Sequence, residues 1–191
     1  MPQARPAVTE FLLTRRSHPP KTLIAPCPST EQLLPILEAA VRVPDHGMLV
    51  PWRFVVIAPE AMPRLADLAE KRATDLGLDD EKRAKGRAQF DIGNLAVMVV
   101  ASPKLSDKIP EMEQTLSAGA VCVSLLNAAL AAGWGASWIT GWVSHDRGFA
   151  EGMGLAANEW IAGIVHIGTK GTAPAERPRP DVASITTWLG A

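Results

Sequence analysis

The sequence predicts one layered domain in which helices cover a central sheet, an α/β sandwich without the strict strand–helix–strand alternation of a doubly wound fold. Three observations predict it. Residues 54–58 read as a short apolar strand, and residues 95–101 are a continuous apolar run, as a strand buried on both faces requires. Residues 33–41 and 60–76 repeat apolar side chains at helical spacing. Residues 117–143 carry no charge, and pass from an alanine-rich half to one rich in tryptophan and β-branched residues.

In chain order, Thr9 is the expected cap of a first helix running through Phe11, Leu12 and Leu13 to Arg15 and Arg16, stopped by His18-Pro19-Pro20. Ser29 or Thr30 caps a second, and Pro44 ends it, because the residue before a proline avoids helical angles. The strand at 54–58 and the amphipathic helix at 60–76 follow. Residues 79–89 are highly charged and read as a solvated helix or flap. After the strand at 95–101, the polar residues 102–114 read as a long connection, and residues 115–132 as a central helix buried on all sides. Residues 135–143 are expected as a third strand with Trp138 and Trp142 on one face, 146–153 as a short helix, 160–168 as a fourth strand. A proline-rich tail follows, ending in a possible fifth strand at 185–189.

Length and composition bound the function. The 191 residues suffice for one domain, read over 1–191 with 171–191 as an extended tail, and 47% are hydrophobic, which excludes a disordered chain. The formal net charge of −1, from 19 basic and 20 acidic residues, argues against a nucleic-acid surface but leaves room for a local basic pocket. Cys27 and Cys122 match no metal spacing and read as reduced thiols. The four histidines show no metal-ligand spacing either. The uncharged stretch 117–143 is long enough to span a bilayer, yet its glycines and change of character favour a buried helix followed by a buried strand over a membrane segment. The first ten residues lack the pattern of a secretory signal, so a cytoplasmic location is expected.

Two segments carry the chemistry. Arg15-Arg16-Ser17 sets two guanidinium groups beside a hydroxyl, and Arg42-Val43-Pro44-Asp45-His46 adds another arginine and a histidine in a proline-fixed turn. Guanidinium forks match phosphate oxygens, so the two suggest a phosphate-bearing cofactor. Cations at helix carboxyl ends, where they suit the dipole, are the alternative account. Other chemistries lack their parts. No glycine-rich phosphate loop follows the first strand. Ser117 and Ser144 lack a nucleophile-elbow context, and Ser144-His145-Asp146 is adjacent in sequence where a triad converges from distant segments. No side chain is assigned a catalytic role and no metal is expected.

These motifs make the chain resemble the FMN-dependent nitroreductase family, in particular its short, single-domain NAD(P)H nitroreductases. The resemblance rests on Arg15-Arg16-Ser17, Arg42 to His46, and Pro51-Trp52-Arg53-Phe54. It continues through residues 108–114, Ser117-Ala118-Gly119, Gly135 to Trp138, and Gly168-Thr169, and covers about residues 9–170. It implies an α+β fold with a central, mostly antiparallel sheet flanked by helices. It also implies a homodimer whose carboxyl-terminal extension wraps the partner, with FMN in clefts contacted by both chains.

By position, the resemblance assigns Arg15, Arg16 and Ser17 to the flavin and its phosphate, and Arg42 and His46 to a second flavin-contact segment. Trp138, Thr140, Gly141 and Thr169 join the cofactor set, and Ala128 falls on a pyridine-nucleotide position. Relatives often carry Trp-Arg-Ser-Gly where this chain has Trp138-Ile139-Thr140-Gly141, so one arginine contact is replaced by an apolar side chain. The implied activity passes hydride from NADH or NADPH through FMN to an electron-poor small molecule such as a nitroaromatic or quinone. A flavin carrier or sensor without turnover, and a dehalogenase-type or flavin-modifying enzyme of the same family, are the alternatives.

Overall fold

Eleven residues, Trp160–Lys170, form the strand on which the sheet is assembled. The computed structural model describes residues 3–190; residues 1–2 and 191, the ends of the expected 1–191 domain, lie outside the described residues. The helices are α1 (Pro6–Thr14), α2 (Thr30–Ala40), α3 (Met62–Asp75), α4 (Asp80–Asp91), α5 (Glu111–Ala131), α6 (Trp142–His145) and α7 (Arg147–Gly152). The strands are β1 (Leu23–Ile24), β2 (Trp52–Ile57), β3 (Leu95–Ala101), β4 (Gly135–Ile139) and β5 (Trp160–Lys170). β5 pairs antiparallel with β1, β3 and β4, and β2 pairs antiparallel with β3. The sheet is therefore antiparallel throughout, and the fold is α+β.

Alternation along the strands divides the core into two layers. On one face Val97, Val99, Val165 and Ile167 meet Leu33 and Ile36 of α2 and Val121, Cys122 and Leu125 of α5. On the other, Ala96, Met98, Val100 and Ile164 meet Leu65 and Ala69 of α3, Phe90 of α4 and Phe149 of α7. The rings of Phe90 and Phe149 stack 5.5 Å apart. α5 is long and apolar enough to cross a membrane, but half of it is buried against the rest of the chain. Burial pushes the Cys122 thiol up to about 12, which leaves it inert, and both cysteines are free.

Local chemistry explains several boundaries. Ser29 caps α2 as half of a capping box: its hydroxyl accepts from Gln32 N–H while the Gln32 side chain accepts from Ser29 N–H at 3.0 Å. The charged stretch becomes α4, whose cations are met by neighbouring carboxylates. Arg87 contacts Asp67, Glu70 and Asp91, and Lys85 contacts Glu81, as befits a solvated face.

Four expectations are corrected. α1 starts at Pro6, whose fixed φ suits the first helical position, so Thr9 is inside the helix and Arg15-Arg16-Ser17 lie beyond its end. The central helix starts at Glu111, immediately after Pro110, so part of the expected connection is helical. The third strand stops at Ile139, and Trp142 opens α6 instead of sharing a strand face with Trp138. Residues 185–189 form no strand; a 3₁₀ turn spans Ala183–Ile185.

His166 sits on β5 with no exposed surface and neither ring nitrogen hydrogen-bonded. Burial disfavours its charged form and lowers its pKa from 6.5 to about 4. The unfolded chain therefore binds the proton first, and stability falls as pH drops from 6.5 towards 4, by about 3 kcal/mol at the lower limit. A second loss follows between 4.5 and about 2, as Glu159, held low by its hydrogen bonds to Arg53, is protonated. Urea melts across this range should show both losses, and His166→Leu should remove the first while leaving the second.

Candidate functional site

Beyond α1 the chain runs extended beside the start of β4, where His18 N–H donates to Ala136 O at 2.8 Å. This anchors the segment that carries Arg15, Arg16 and Ser17. Arg15 Nη2 donates to Ser17 Oγ at 3.0 Å, while Arg15 Nε is buried with no acceptor. Burial, then repulsion from Arg179 and Arg16, lowers the Arg15 pKa. Burial, then repulsion from Lys170 and Arg16, lowers that of His18. Four cations and a histidine thus gather where α1, the end of β5 and the tail meet.

One carboxylate answers them. Glu176 of the tail pairs with Arg16 and, at 3.2 Å, with Arg179, while Arg16 also donates to Ala175 O. The Arg16 contact, above all, holds the Glu176 carboxyl down at about 2. The charge remains unbalanced, and the unpaired Arg15 Nε beside a hydroxyl is the donor set that a phosphate oxygen accepts from. Thr169, at the same end of β5, spends its hydroxyl on Pro26 O at 2.7 Å.

The second segment lies along α5. Arg42 and Pro44 line a groove of about 580 Å³ with Gly119, Val123, Asn127 and Trp138. The Trp138 indole lies over Gly163 of β5, where a Cβ would come within 2.0 Å of its Nε1. Trp138 Nε1 and Asn127 Oδ1 are a buried donor and a buried acceptor, each without a partner. His46 is exposed, its Nδ1 2.6 Å from Glu113 Oε2 in the first turn of α5.

After Trp138 the alternation of β4 turns Ile139 to the opposite face, where it packs against the second core layer. An apolar side chain suits that place. Thr140 is exposed, and Gly141 lies beneath Gln89 of α4, whose Nε2 would be 2.2 Å from a Cβ. Trp142 Nε1 donates to Lys82 O at 2.9 Å, so α4 is fastened over this turn. Ala128 lines an adjoining groove of about 520 Å³ with Phe11 and Leu12, which shares Ser124 and Asn127 with the first.

Two groups of the expected residues are brought together in the chain, with His46, Thr140, Gly141 and Ala128 outside both. Arg15, Arg16, Ser17 and Thr169 stand at the start of β4, and Arg42 and Trp138 share the α5 groove. Sequence reasoning missed Lys170, Glu176 and Arg179. The run Glu176-Arg177-Pro178-Arg179 was a visible signal, but nothing local shows that it folds back onto residues 15–18. Ser144, His145 and Asp146 make no triad. Asp146 is held by a bidentate contact to Arg72, at 2.7 and 3.1 Å, and caps α7 through Phe149 N–H. Among the described residues, no cluster of His, Cys, Asp or Glu is arranged to hold a metal.

Comparison with known proteins adds the lineage. The family model described as the nitroreductase family matches residues 12–169. The chain is 35% identical over 160 residues to the Escherichia coli K12 protein named "Putative NAD(P)H nitroreductase YdjA", covering 84% of this chain and 86% of that one. It is 37% identical over 169 residues to a Haemophilus influenzae protein named "Putative NAD(P)H nitroreductase", covering 87% and 90%. A solved nitroreductase-like protein from Bacillus cereus superposes with a TM-score of 0.82 over all of both chains at 22% identity. A Desulfovibrio desulfuricans structure, described as a nitroreductase in complex with FMN, superposes with a TM-score of 0.75 over 98% of both at 20% identity.

The gathered cations make a test independent of any cofactor. Millimolar inorganic phosphate should raise the melting temperature, and the rise should shrink as sodium chloride is added. Arg15→Gln relieves repulsion, so without phosphate it should melt no lower than wild type, while its response to phosphate falls severalfold in the same thermal scans.

Proposed function

The chain belongs to the nitroreductase family, and on that premise we propose that it is an FMN-dependent oxidoreductase drawing on NADH or NADPH to reduce an electron-poor small molecule such as a nitroaromatic or quinone. The observation that carries the reading is the cation cluster at residues 15–18, with the buried Arg15 Nε unpaired beside Ser17. In this reading Arg15, Arg16 and Ser17 bind the cofactor phosphate with Thr169 at the rim, while Arg42, His46, Trp138, Thr140 and Gly141 contact the flavin.

When bound, FMN supplies the two-electron chemistry. The chain supplies place and charge. The Arg15 guanidinium and Ser17 hydroxyl fix the phosphate end, and the Trp138 indole offers a flat wall. A guanidinium near the ring, such as Arg42, favours the uptake of negative charge there. No side-chain nucleophile is required, in keeping with the structural use of Asp146 in the sequence Ser144-His145-Asp146. Ala128 offers a backbone and methyl surface for the nicotinamide donor.

Membership of the nitroreductase family supports a homodimer in which each cleft draws on both protomers. An apolar face supports it too: Met112, Leu116 and Val123 of α5 are 67%, 66% and 45% exposed. The tail adds Val182, Ile185, Trp188 and Leu189, at 70%, 69%, 77% and 95% exposure, to that unpartnered surface. This fits an extension that wraps a second copy. The proposal takes residues 1–191 as one domain with 171–191 as that extension, in a soluble cytoplasmic protein.

Purified protein should be yellow or take up FMN stoichiometrically. Anaerobic addition of NADH or NADPH should bleach it, and a nitroaromatic or quinone should restore the colour. Flavin that is bound but bleached by neither nucleotide would make the protein a carrier, and failure to bind FMN would sink the flavin reading. In sedimentation velocity the wild type should run as a dimer and Leu116→Glu as a monomer, with loss of bound FMN.

A further inference from the structure

Residues 42–52, which join α2 to β2, follow a path that ordinary side chains avoid. Met48 has φ 52° and Val50 has φ 47°. The left-handed region is uncommon for any residue but glycine, and for a β-branched valine it is an outlier that needs outside support. Gly47, at φ 71°, takes the same region freely, and a Cβ there would come within 2.4 Å of Ile109 Cδ1. Two side chains provide the support. The buried Ser117 hydroxyl, in the second turn of α5, accepts from Trp52 Nε1–H at 3.1 Å and donates to Pro44 O at 2.7 Å. One hydroxyl thus holds both ends of the segment. Asp45 closes its middle: Oδ1 accepts from Leu49 N–H at 3.2 Å and Oδ2 from Val50 N–H at 2.9 Å.

From this geometry we infer that Ser117 and Asp45 are positioning residues, which hold residues 42–52 in a strained conformation and so set Arg42 and His46 for the flavin. The inference rests on the functional reading of Arg42 and His46 given above. Neither residue need touch the cofactor. Ser117 acts through Pro44 O and the Trp52 indole, and Asp45 through two backbone amides, so the segment is shaped before the cofactor arrives. Ser117→Ala removes a donor and an acceptor together and leaves the buried Trp52 N–H and the Pro44 C=O without their partner. The strain at Val50 is then free to relax, and the segment moves.

The test uses the full-length protein reconstituted with FMN. It reads the FMN dissociation constant by quenching of flavin fluorescence, the visible circular dichroism of bound flavin, and the melting temperature. Ser117→Ala should weaken FMN binding roughly tenfold and alter the flavin dichroism. Ser117→Thr, which keeps the hydroxyl, should retain most of both. Val50→Gly removes the strain itself, so the loss caused by Ser117→Ala should be smaller in a Val50→Gly background. Ile164→Val, a change in the opposite core layer, should lower the melting temperature but leave affinity and dichroism unchanged. If Ser117→Ala does not fold, Asp45→Asn, which sets an NH₂ group against backbone N–H donors, should show the same two changes. The inference is overturned if Ser117→Ala, or Asp45→Asn in its place, binds FMN with wild-type affinity and dichroism, or if Ile164→Val weakens FMN in proportion to its melting temperature. Wild-type protein that takes up no FMN overturns the functional reading and this inference with it. Wild-type binding with an unaffected Ser117→Ala overturns the inference alone.

Discussion

The pairing of β4 with β5 is the constraint from which the site follows. Its register sets Ala136 opposite Ile167 and Trp138 opposite Val165. Ala136 then offers its carbonyl to His18, which draws the segment carrying Arg15, Arg16 and Ser17 to one end of the strand. Trp138, one alternation later, lies on Gly163 and forms a wall of the α5 groove. A one-residue slip would move both side chains to the other layer, so the register that builds the core also fixes the spacing between phosphate-type donors and a flat aromatic surface.

The two groups of residues are held in opposite ways. At residues 15–18, like charges are brought together and only partly answered by Glu176, so the cluster is electrostatically unsettled until an anion arrives. Along α5 the arrangement is settled in advance by the hydrogen bond that Ser117 donates and those that Asp45 accepts, which support backbone that would otherwise relax. Charge left unbalanced recruits a ligand, and strain held in place shapes its surroundings. The tail joins the two themes, because its Glu176 touches Arg16 while its apolar side chains remain uncovered by their own chain.

Elements with local causes were legible in the sequence. Ser29 and Gln32 announce the start of α2, and the unbroken apolar run at 95–101 gives β3 with its observed bounds. Readings that depended on tertiary contacts were less secure. Pro110 looked like the interior of a loop, yet the helix starts immediately after it. Trp142 continued the aromatic pattern of a strand, but Thr140-Gly141 breaks the pairing and Trp142 turns to Lys82 and Gly86 of α4. Arg15, Arg16 and Ser17 stand out in the sequence because they are contiguous. Arg179 and Glu176 were not, since their contribution depends on the tail folding back across most of the chain, which no local pattern encodes. Ser117 is legible as part of the Ser117-Ala118-Gly119 motif and as a serine lacking a nucleophile's context, but its two hydrogen bonds are tertiary.

We propose that the gathered cations bind the phosphate of a flavin mononucleotide. Titrating the purified apoprotein with FMN and with riboflavin, which share the ring and differ by the phosphate, tests it most directly. FMN should bind at least about a hundredfold more tightly at low ionic strength, as several charge-assisted hydrogen bonds to one phosphate would give, with the gap narrowing as salt is added. Equal affinity for the two flavins would contradict it.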